Sequence, residues 1–421
     1  MTKSLRKAVM SLIFIFTTTL FVLFILLNTY TWGKYTFFCL SIGIFALGCT
    51  IQHGKTTLRF TPYIAMNVLF ICFVLLSSLW AISSSDSATM ARTLTRTFVC
   101  AYAVYITYIN IPELDVTVLL KAVMWAGYIV SLYTLFFYGL DTVIAAGSSS
   151  SLRVDNEFAN VNTIGMACAL SCVIQINFRY LRPKDHLLPS ALLMIPSMVV
   201  VAATQSRKAL VFLIAGTLGY AFVKAQKSKK SILIKGFKIL LWILILAFVL
   251  YLILQLEVFD GIRERMETML NSVLGNGKVD HSTILRNNLR TLGLTWFLKY
   301  PIGGIGIANP HILANQYYDA FDAYLHDNFV ELLCGGGIIG FCLYYAMYVY
   351  LFSQLWKYRK VDKQRVAFFA LWLGLMLAMN FGMVTYYSKA QNFYLMIHFV
   401  NVFDLKRKAS ELCKPENTLK Q

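Results

Sequence analysis

Ionisable side chains are nearly missing from the long apolar stretches of this sequence, and charged residues of every kind make up only 14% of its 421 residues. Ion-coupled transporters usually keep such groups at mid-membrane depth, so their scarcity argues against that class. Lys121 and Glu331 lie near the ends of their stretches. Acidic residues are scarcer than basic ones, 20 against 38. No DxD-type carboxylate pair stands between the stretches expected to face outward, which excludes the usual metal–nucleotide donor site. The nine cysteines fall almost entirely inside apolar runs, as at Cys39, Cys72, Cys100, Cys168, Cys172 and Cys342. They form no CxxC pair and no Cys/His metal spacing, so neither a disulfide framework nor a metal site is expected, and they read as small buried hydrophobes. There is no internal repeat, no low-complexity tract and no soluble domain, and the two-half repeat of many transporters is not visible. No small-residue cleavage site follows the first apolar run. That run is too long for a signal peptide and reads as a first transmembrane helix.

What is present is apolar length. Hydrophobic residues are 58% of the chain and the mean hydropathy is +0.63, against roughly 45–50% apolar for a soluble domain. The surplus lies in runs long enough to cross a bilayer, which takes about 20 residues each. Windows of ~19 residues give about twelve spans, at 8–27, 35–52, 62–82, 93–111, 117–139, 159–178, 187–205, 208–226, 237–256, 328–355, 366–385 and 390–404. The expected fold is an all-α polytopic membrane protein. It divides into an N-terminal bundle of about nine spans over 1–256, a large loop over 257–327, C-terminal spans over 328–404 and a basic tail over 405–421, all one integral domain.

The net charge of +18 does not imply nucleic acid. The basic residues sit in short loops, where they orient the chain and meet anionic membrane lipids. With the N-terminus in the cytoplasm, the inner loops hold Lys3/Arg6/Lys7, Lys55/Arg59, Arg179/Arg182/Lys184, Lys224 to Lys238, Lys357 to Arg365 and Lys406 to Lys420. The outer loops LNTYTWG, SSSDSATM, DTVIAAGSSSSLRVDNEF and TYYSKAQ are poor in cations. The acidic inner loop IPELDV is mildly discordant, but carboxylates carry little weight in this rule.

The large loop is not disordered in character. LRNNLRTLGLTWFLKYP places Leu285, Leu289, Leu292 and Trp296 at helical spacing, with Leu294 and Leu298 nearby, and Pro301 and the glycines of PIGGIGIANP end the helix. An amphipathic helix on the outer leaflet or capping the bundle is expected. GIRERMETMLNS is a second short helical candidate.

Several cations fall on the side where the positive-inside rule disfavours them, so they need a reason. Arg207 and Lys208, in TQSRKALVF, occupy a turn too short to leave the membrane surface. The planar fork of an arginine there suits two phosphate oxygens; equally, it can snorkel to lipid phosphate. Arg286 and Arg290 are four apart and share a helix face, either as a solvated polar stripe or as a second arm of a phosphate clamp. His326, in YLHDNFVELLCGGGIIG, sits at the membrane surface over a helix N-terminus. A neutral imidazole there can take a proton from a sugar hydroxyl, or bond a loop carbonyl. Helix geometry puts Val330 below it and Glu331 slightly rotated. Gly335, Gly336 and Gly337 permit either close helix packing or an unwound turn near the site. Arg153 is a further outer cation, with Asp155 and Glu157 close by, and Asn160 and Asn162 suit a polar cavity. Together the cations favour an anionic substrate, a lipid-linked diphosphate.

Three motifs in order now resemble one family. YLHDNFVELLCGGGIIG resembles the His-Asn/Asp…Glu…Gly-Gly-x-x-Gly signature of the O-antigen ligase and O-antigen polymerase superfamily. TQSRKALVF resembles its SR-x-A/G-L segment, and ILRNNLRTLGLTWFLKYPIGGIGI its Arg-bearing helix followed by x-x-P-hydrophobic-G-x-G-x. The matching stretch covers roughly 155–385. Asp327 departs from the pattern, which often has Asn there.

The resemblance implies a GT-C-like, inverting, metal-independent glycosyltransferase of the bacterial cytoplasmic (inner) membrane, with its active site on the extracytoplasmic face and no cofactor. Its donor would be an undecaprenyl-diphosphate-linked oligosaccharide. A flippase and chain-length regulators would be its protein partners. Arg207, Arg286 and His326 would be catalytic, the arginines on the diphosphate and the histidine on the acceptor hydroxyl. Arg290, Lys208, Arg153 and Glu331 would contact substrate. Two jobs exist in the family: joining repeat units that are both lipid-linked, or moving finished glycan to lipid A–core or another acceptor. The general form of the motifs favours the polymerase. A lipid-linked oligosaccharide transporter or flippase is the rival of a different class.

Overall fold

The computed structural model describes residues 3–27, 31–148, 160–181, 188–225, 232–255, 260–261, 263–264, 267, 281–319 and 324–413. Their regular structure is helical throughout, as α1 (Lys3–Leu26), α2 (Thr31–Ile51), α3 (Pro62–Ser77), α4 (Ser84–Asn110), α5 (Val116–Tyr138), α6 (Leu140–Ser148), α7 (Val161–Leu181), α8 (Leu188–Thr204), α9 (Arg207–Ala225), α10 (Ile232–Leu254), α11 (His281–Lys299), α12 (Pro310–Tyr318), α13 (Asn328–Lys357), α14 (Lys363–Met379) and α15 (Lys389–Leu412). Three are long and apolar enough to cross a membrane, over Leu5–Leu26, Val116–Tyr138 and Asn328–Lys357. Shorter apolar helices cover Tyr35–Ile51, Pro62–Ser77, Val161–Asn177, Leu192–Thr204 and Gly236–Ile245. The candidate helix GIRERMETMLNS falls mostly outside the described residues.

Starts and stops follow local chemistry. α3 opens on a proline, whose missing N–H costs nothing in a first turn. α5 opens on Asp115, whose carboxylate accepts from the Thr117 N–H at 2.9 Å. α14 opens on Asp362 and α15 on Ser388, each accepting from the N–H three residues on.

The helices close on small and aromatic side chains. α7 packs against α5, α8 and α9, and α9 against α14. A Cβ on Gly127 would lie 2.5 Å from the Ala167 carbonyl oxygen, so α5 and α7 approach backbone to backbone. Trp372, Phe368, Phe369 and Phe393 are fully buried among α14, α15 and their neighbours. At one end of α14 and α15, buried Asp404 accepts from Arg365 at 2.9 Å, the Val116 N–H at 2.8 Å and Arg407 at 3.2 Å. That lock also joins the start of α5.

Two segments expected as loops are helical. The SSSDSATM stretch contains the first turns of α4, because Ser83 caps it by accepting from the Asp86 N–H. The DTVIAAG stretch is α6, whose Val143 and Ala146 bury against Ala203 of α8. A hydropathy window rejects polar first turns and helices of nine residues, so neither was visible to it. α11 forms where expected and buries Leu289 and Leu292, with Leu285 and Trp296 packed alongside. Leu294 and Leu298 are exposed.

Both readings of the Gly335–Gly337 run hold at once. α13 breaks at Gly337, with φ 58° and ψ −163°. The turn after Tyr300 satisfies the broken ladder. Ile338 N–H donates to the Pro301 carbonyl at 2.8 Å, Ile339 N–H to Ile302 at 3.3 Å, and Ile305 N–H to Cys334 at 3.0 Å. Irregular backbone at such depth persists only where protein supplies those partners. Glycine makes the approach possible, since a Cβ on Gly304 would sit 2.4 Å from the Gly335 backbone.

The same turn docks on the start of α4. Ile82 N–H donates to the Ile305 carbonyl at 3.1 Å, and Trp80 Nε1–H to Gly303 at 3.1 Å. Ser87 Oγ–H donates to Ile307 at 2.7 Å, and fully buried Asn309 donates to Ser87 Oγ at 2.9 Å.

Gly337→Ala combines a left-handed backbone with a Cβ 2.3 Å from the Ile302 carbonyl oxygen. It is expected to lower stability by on the order of 3 kcal/mol or more. Gly374 has nothing within 4 Å of its virtual Cβ, so Gly374→Ala should be neutral or stabilising by about 0.5–1 kcal/mol. Thermal unfolding of the two purified variants in detergent compares them.

Candidate active site

α9, α11, α13 and the 380–388 loop meet at one end of the bundle. Asp327 caps α13, its Oδ1 accepting from the Phe329 and Val330 N–H groups at 2.9 and 3.2 Å. Its other oxygen lies 3.4 Å from Arg290 Nε. Burial pushes the Asp327 carboxyl up from the ordinary range, and these partners oppose the shift. Asn328, fully buried, holds the 380–388 loop. Its N–H donates to the Asn380 carbonyl at 2.8 Å, and its Oδ1 accepts from the Thr385 and Tyr386 N–H groups at 2.7 and 3.0 Å. Its amide donates to the Tyr345 hydroxyl at 2.9 Å.

The loop so held meets two cations. Lys208 Nζ donates to the Gly382 carbonyl and Arg290 to the Phe381 carbonyl. Thus α9 and α11, far apart in sequence, are joined through two adjacent peptide oxygens. Gly293 sets how closely α11 approaches α13: a Cβ there would fall 2.5 Å from Leu325 Cδ1 and 2.6 Å from Val330 Cγ1. That contact faces the turn that carries His326.

His326 lies two residues ahead of α13 with a left-handed backbone, φ +57°. Its ring is half-buried and its centroid is 4.4 Å from that of Tyr324. Burial pushes its pKa down to about 4, and Arg286, Lys208 and Arg290, in that order, push the same way. Burial raises the Tyr324 hydroxyl, against an opposing pull from Arg286. The imidazole is therefore neutral at physiological pH, with the field of three cations acting on it. Such a site can hold an anion beside a proton acceptor.

The other candidates divide. Arg286 is exposed on α11, one turn before Arg290. Arg207 is half-buried at the first position of α9, immediately before Lys208. That turn is braced by Ser206 Oγ–H, which donates to Asn162 Oδ1 at 3.0 Å. Glu331 is buried, and its Oε2 accepts from the Leu325 N–H at 2.9 Å. Arg153, with Asp155 and Glu157, lies outside the described residues.

A cavity borders the 380–388 loop. It is lined mainly by apolar side chains, including Leu26, Met166, Leu170, Phe212, Trp372 and Met376. Asn162, Ser388 and Met383 border it, the last directly following Gly382. Among the described residues, no three His, Cys, Asp or Glu side chains come together as a metal site would require.

Sequence reasoning did not reach Asn328, Asn309, the Phe381 and Gly382 carbonyls or the α4 start. Asn328 and Asn309 carried a weak signal, as polar amides set in motifs otherwise rich in glycine and apolar residues. A backbone carbonyl carries none.

Residues 190–345 match a protein-family model described as O-antigen ligase. The matched stretch contains Arg207, Lys208, Arg286, Arg290, His326 and Glu331. No curated protein matches the chain.

The two α11 arginines should separate in a stability experiment. Arg290→Ala strands the buried Asp327 carboxylate and frees Phe381, at a cost of about 1–2 kcal/mol. Arg286→Ala, at an exposed position, should stay within about 0.5 kcal/mol of the parent. Chemical or thermal denaturation in one detergent reads both.

Proposed function

We propose, from the match of residues 190–345 to the O-antigen ligase family model, that this chain is a member of the O-antigen ligase and polymerase superfamily and a membrane-embedded glycosyltransferase that polymerises lipid-linked repeat units. We place it in the bacterial inner membrane with about twelve spans in a GT-C-like arrangement and its site on the extracytoplasmic face. The donor is an undecaprenyl-diphosphate-linked oligosaccharide. The observation that carries this reading is the meeting of Lys208 and Arg290 on the adjacent 381–382 carbonyls, with Arg290 also reaching Asp327 next to half-buried His326 and Arg286 one turn away.

The acceptor hydroxyl attacks the anomeric carbon as His326 takes its proton. The bond from that carbon to the diphosphate oxygen breaks, the anomeric configuration inverts, and undecaprenyl diphosphate leaves with its electron pair. Arg286, with Arg207 and Lys208 at the end of α9, meets the charge growing on the leaving group. Preplaced cations do this without reorganising, and supply charge that a divalent metal would otherwise provide. Arg290 is already engaged by Asp327 and Phe381, so its part is to support the others. Arg153 remains a substrate contact by family resemblance alone.

The charge arrangement also gives the base a switch. Before the donor binds, burial and, after it, the cations hold His326 unprotonated. A bound diphosphate offsets their field, so the imidazole becomes a stronger base when a sugar is present to attack. The description of the matching family favours a second reading, transfer of finished glycan to a different acceptor.

Two measurements test this function. His326→Ala and Arg286→Ala should each lower elongation of lipid-linked oligosaccharide by purified protein roughly 10²–10³-fold, and Arg207→Lys should stay inserted but lose most activity. Near-normal chains from all three would overturn the reading. Deletion of the gene separates the two jobs: single repeat units mark a polymerase, and long chains stranded on the lipid carrier mark a ligase.

The pH dependence has a defined sign. Activity needs neutral His326 and is lost as pH falls through its pKa, which is about 4 in the free protein. The acid limb of kcat/KM should therefore lie low, and that of kcat should lie at higher pH because the bound anion raises the pKa. Arg286→Gln should move the kcat/KM limb upward. Coincident limbs in kcat and kcat/KM would contradict the field argument.

A further inference from the structure

We infer that Glu331 is a positioning residue for His326, acting through the backbone rather than on substrate. The inference rests on the reading of His326 as the group that takes the acceptor proton.

The turn before α13 is fixed at both neighbours of His326. Leu325 is fully buried, its side chain packed in the cluster that contains Leu289, Leu313 and Val330. Its N–H donates to Glu331 Oε2 at 2.9 Å. Asp327 is fixed by the α13 cap and by Arg290. His326, between them, keeps a half-buried ring whose centroid is 4.4 Å from that of Tyr324.

Its φ of +57° is uncommon for a residue with a side chain and persists where surrounding contacts impose it. Glu331 imposes it from below. It stands in the first turn of α13 and reaches back six residues, past the cap that Asp327 already satisfies. Its carboxylate is 95% buried, being 5% exposed, and is engaged with the peptide backbone. A carboxylate that bound sugar or moved a proton would need a face toward the ligand. What the carboxylate supplies here is an acceptor of the right length. Without it the Leu325 N–H loses its partner and the segment can relax to negative φ, swinging the imidazole away.

The test uses purified full-length protein carrying Glu331→Gln, Glu331→Asp, Glu331→Ala or His326→Ala. Glutamine keeps an acceptor oxygen at the same reach; aspartate keeps the charge but is one methylene short. Glu331→Gln should hold kcat within about threefold, whereas Glu331→Asp and Glu331→Ala should lose roughly 10- to 100-fold in kcat with donor KM nearly unchanged, as expected for a displaced reacting group. Labelling of His326 by diethyl pyrocarbonate, read residue by residue by mass spectrometry, should accelerate severalfold in Asp and Ala and not in Gln.

If Gln is as inactive as Ala, the carboxylate does chemistry and the inference fails. Parental kcat and parental labelling in Asp overturn it as well, and that comparison stands even if Ala does not fold. Activity retained in His326→Ala, with the labelling pattern as expected, would instead remove the catalytic reading and leave the positioning contact intact.

Discussion

The site depends on a seam of three peptide hydrogen bonds between the 301–305 turn and the broken stretch of α13. An intact helix would offer that turn no free backbone groups. Because α13 breaks at Gly337, two of its N–H groups and one carbonyl become available, and the turn after α11 takes them. The turn follows α11 directly, so anchoring it sets where α11 ends. Gly293 then sets how near α11 lies to the Leu325 turn. The distance between the α11 arginines and the histidine is thus a consequence of glycines elsewhere.

Gathering cations beside a half-buried imidazole is unfavourable unless their charge is met. Here the compensation is local and mostly uncharged. Lys208 and Arg290 each use a peptide oxygen of the 381–382 pair, and Arg290 also meets Asp327. Arg286 is left exposed. The arrangement ranks the cations by engagement, from Arg290, which is held twice, to Arg286, which is open to solvent. Arg286 is thus the most accessible of the three, while the others already hold partners. Asn328 underlies the ranking, because it fixes the loop whose oxygens hold two of them.

Much of the helical plan was legible from apolar length, since a span is long enough to dominate a window. The α11 helix was legible from the spacing of Leu285, Leu289, Leu292 and Trp296. The pairing of Arg286 with Arg290 on one face followed from a spacing of four. Their different surroundings did not, because those depend on Asp327 and on a carbonyl more than ninety residues away. The Gly335–Gly337 run announced an anomaly without saying which, and the two readings proved to be one structure: a break that close packing repairs. α6 and the start of α4 were missed because polar or short helices leave no hydropathy signature. The docking of the 301–309 turn on α4 was missed because its bonds involve backbone atoms and small hydroxyls.

That docking reaches back to residues 77–87, which lie outside the stretch that matches the family model. Ser77, Trp80 and Ser87 stand 220 to 230 positions before their partners. During synthesis the cradle therefore precedes its occupant by more than two hundred residues. Non-local closure of this kind is slow. A chain interrupted before residue 300 therefore lacks the turn that joins the start of α4 to α13.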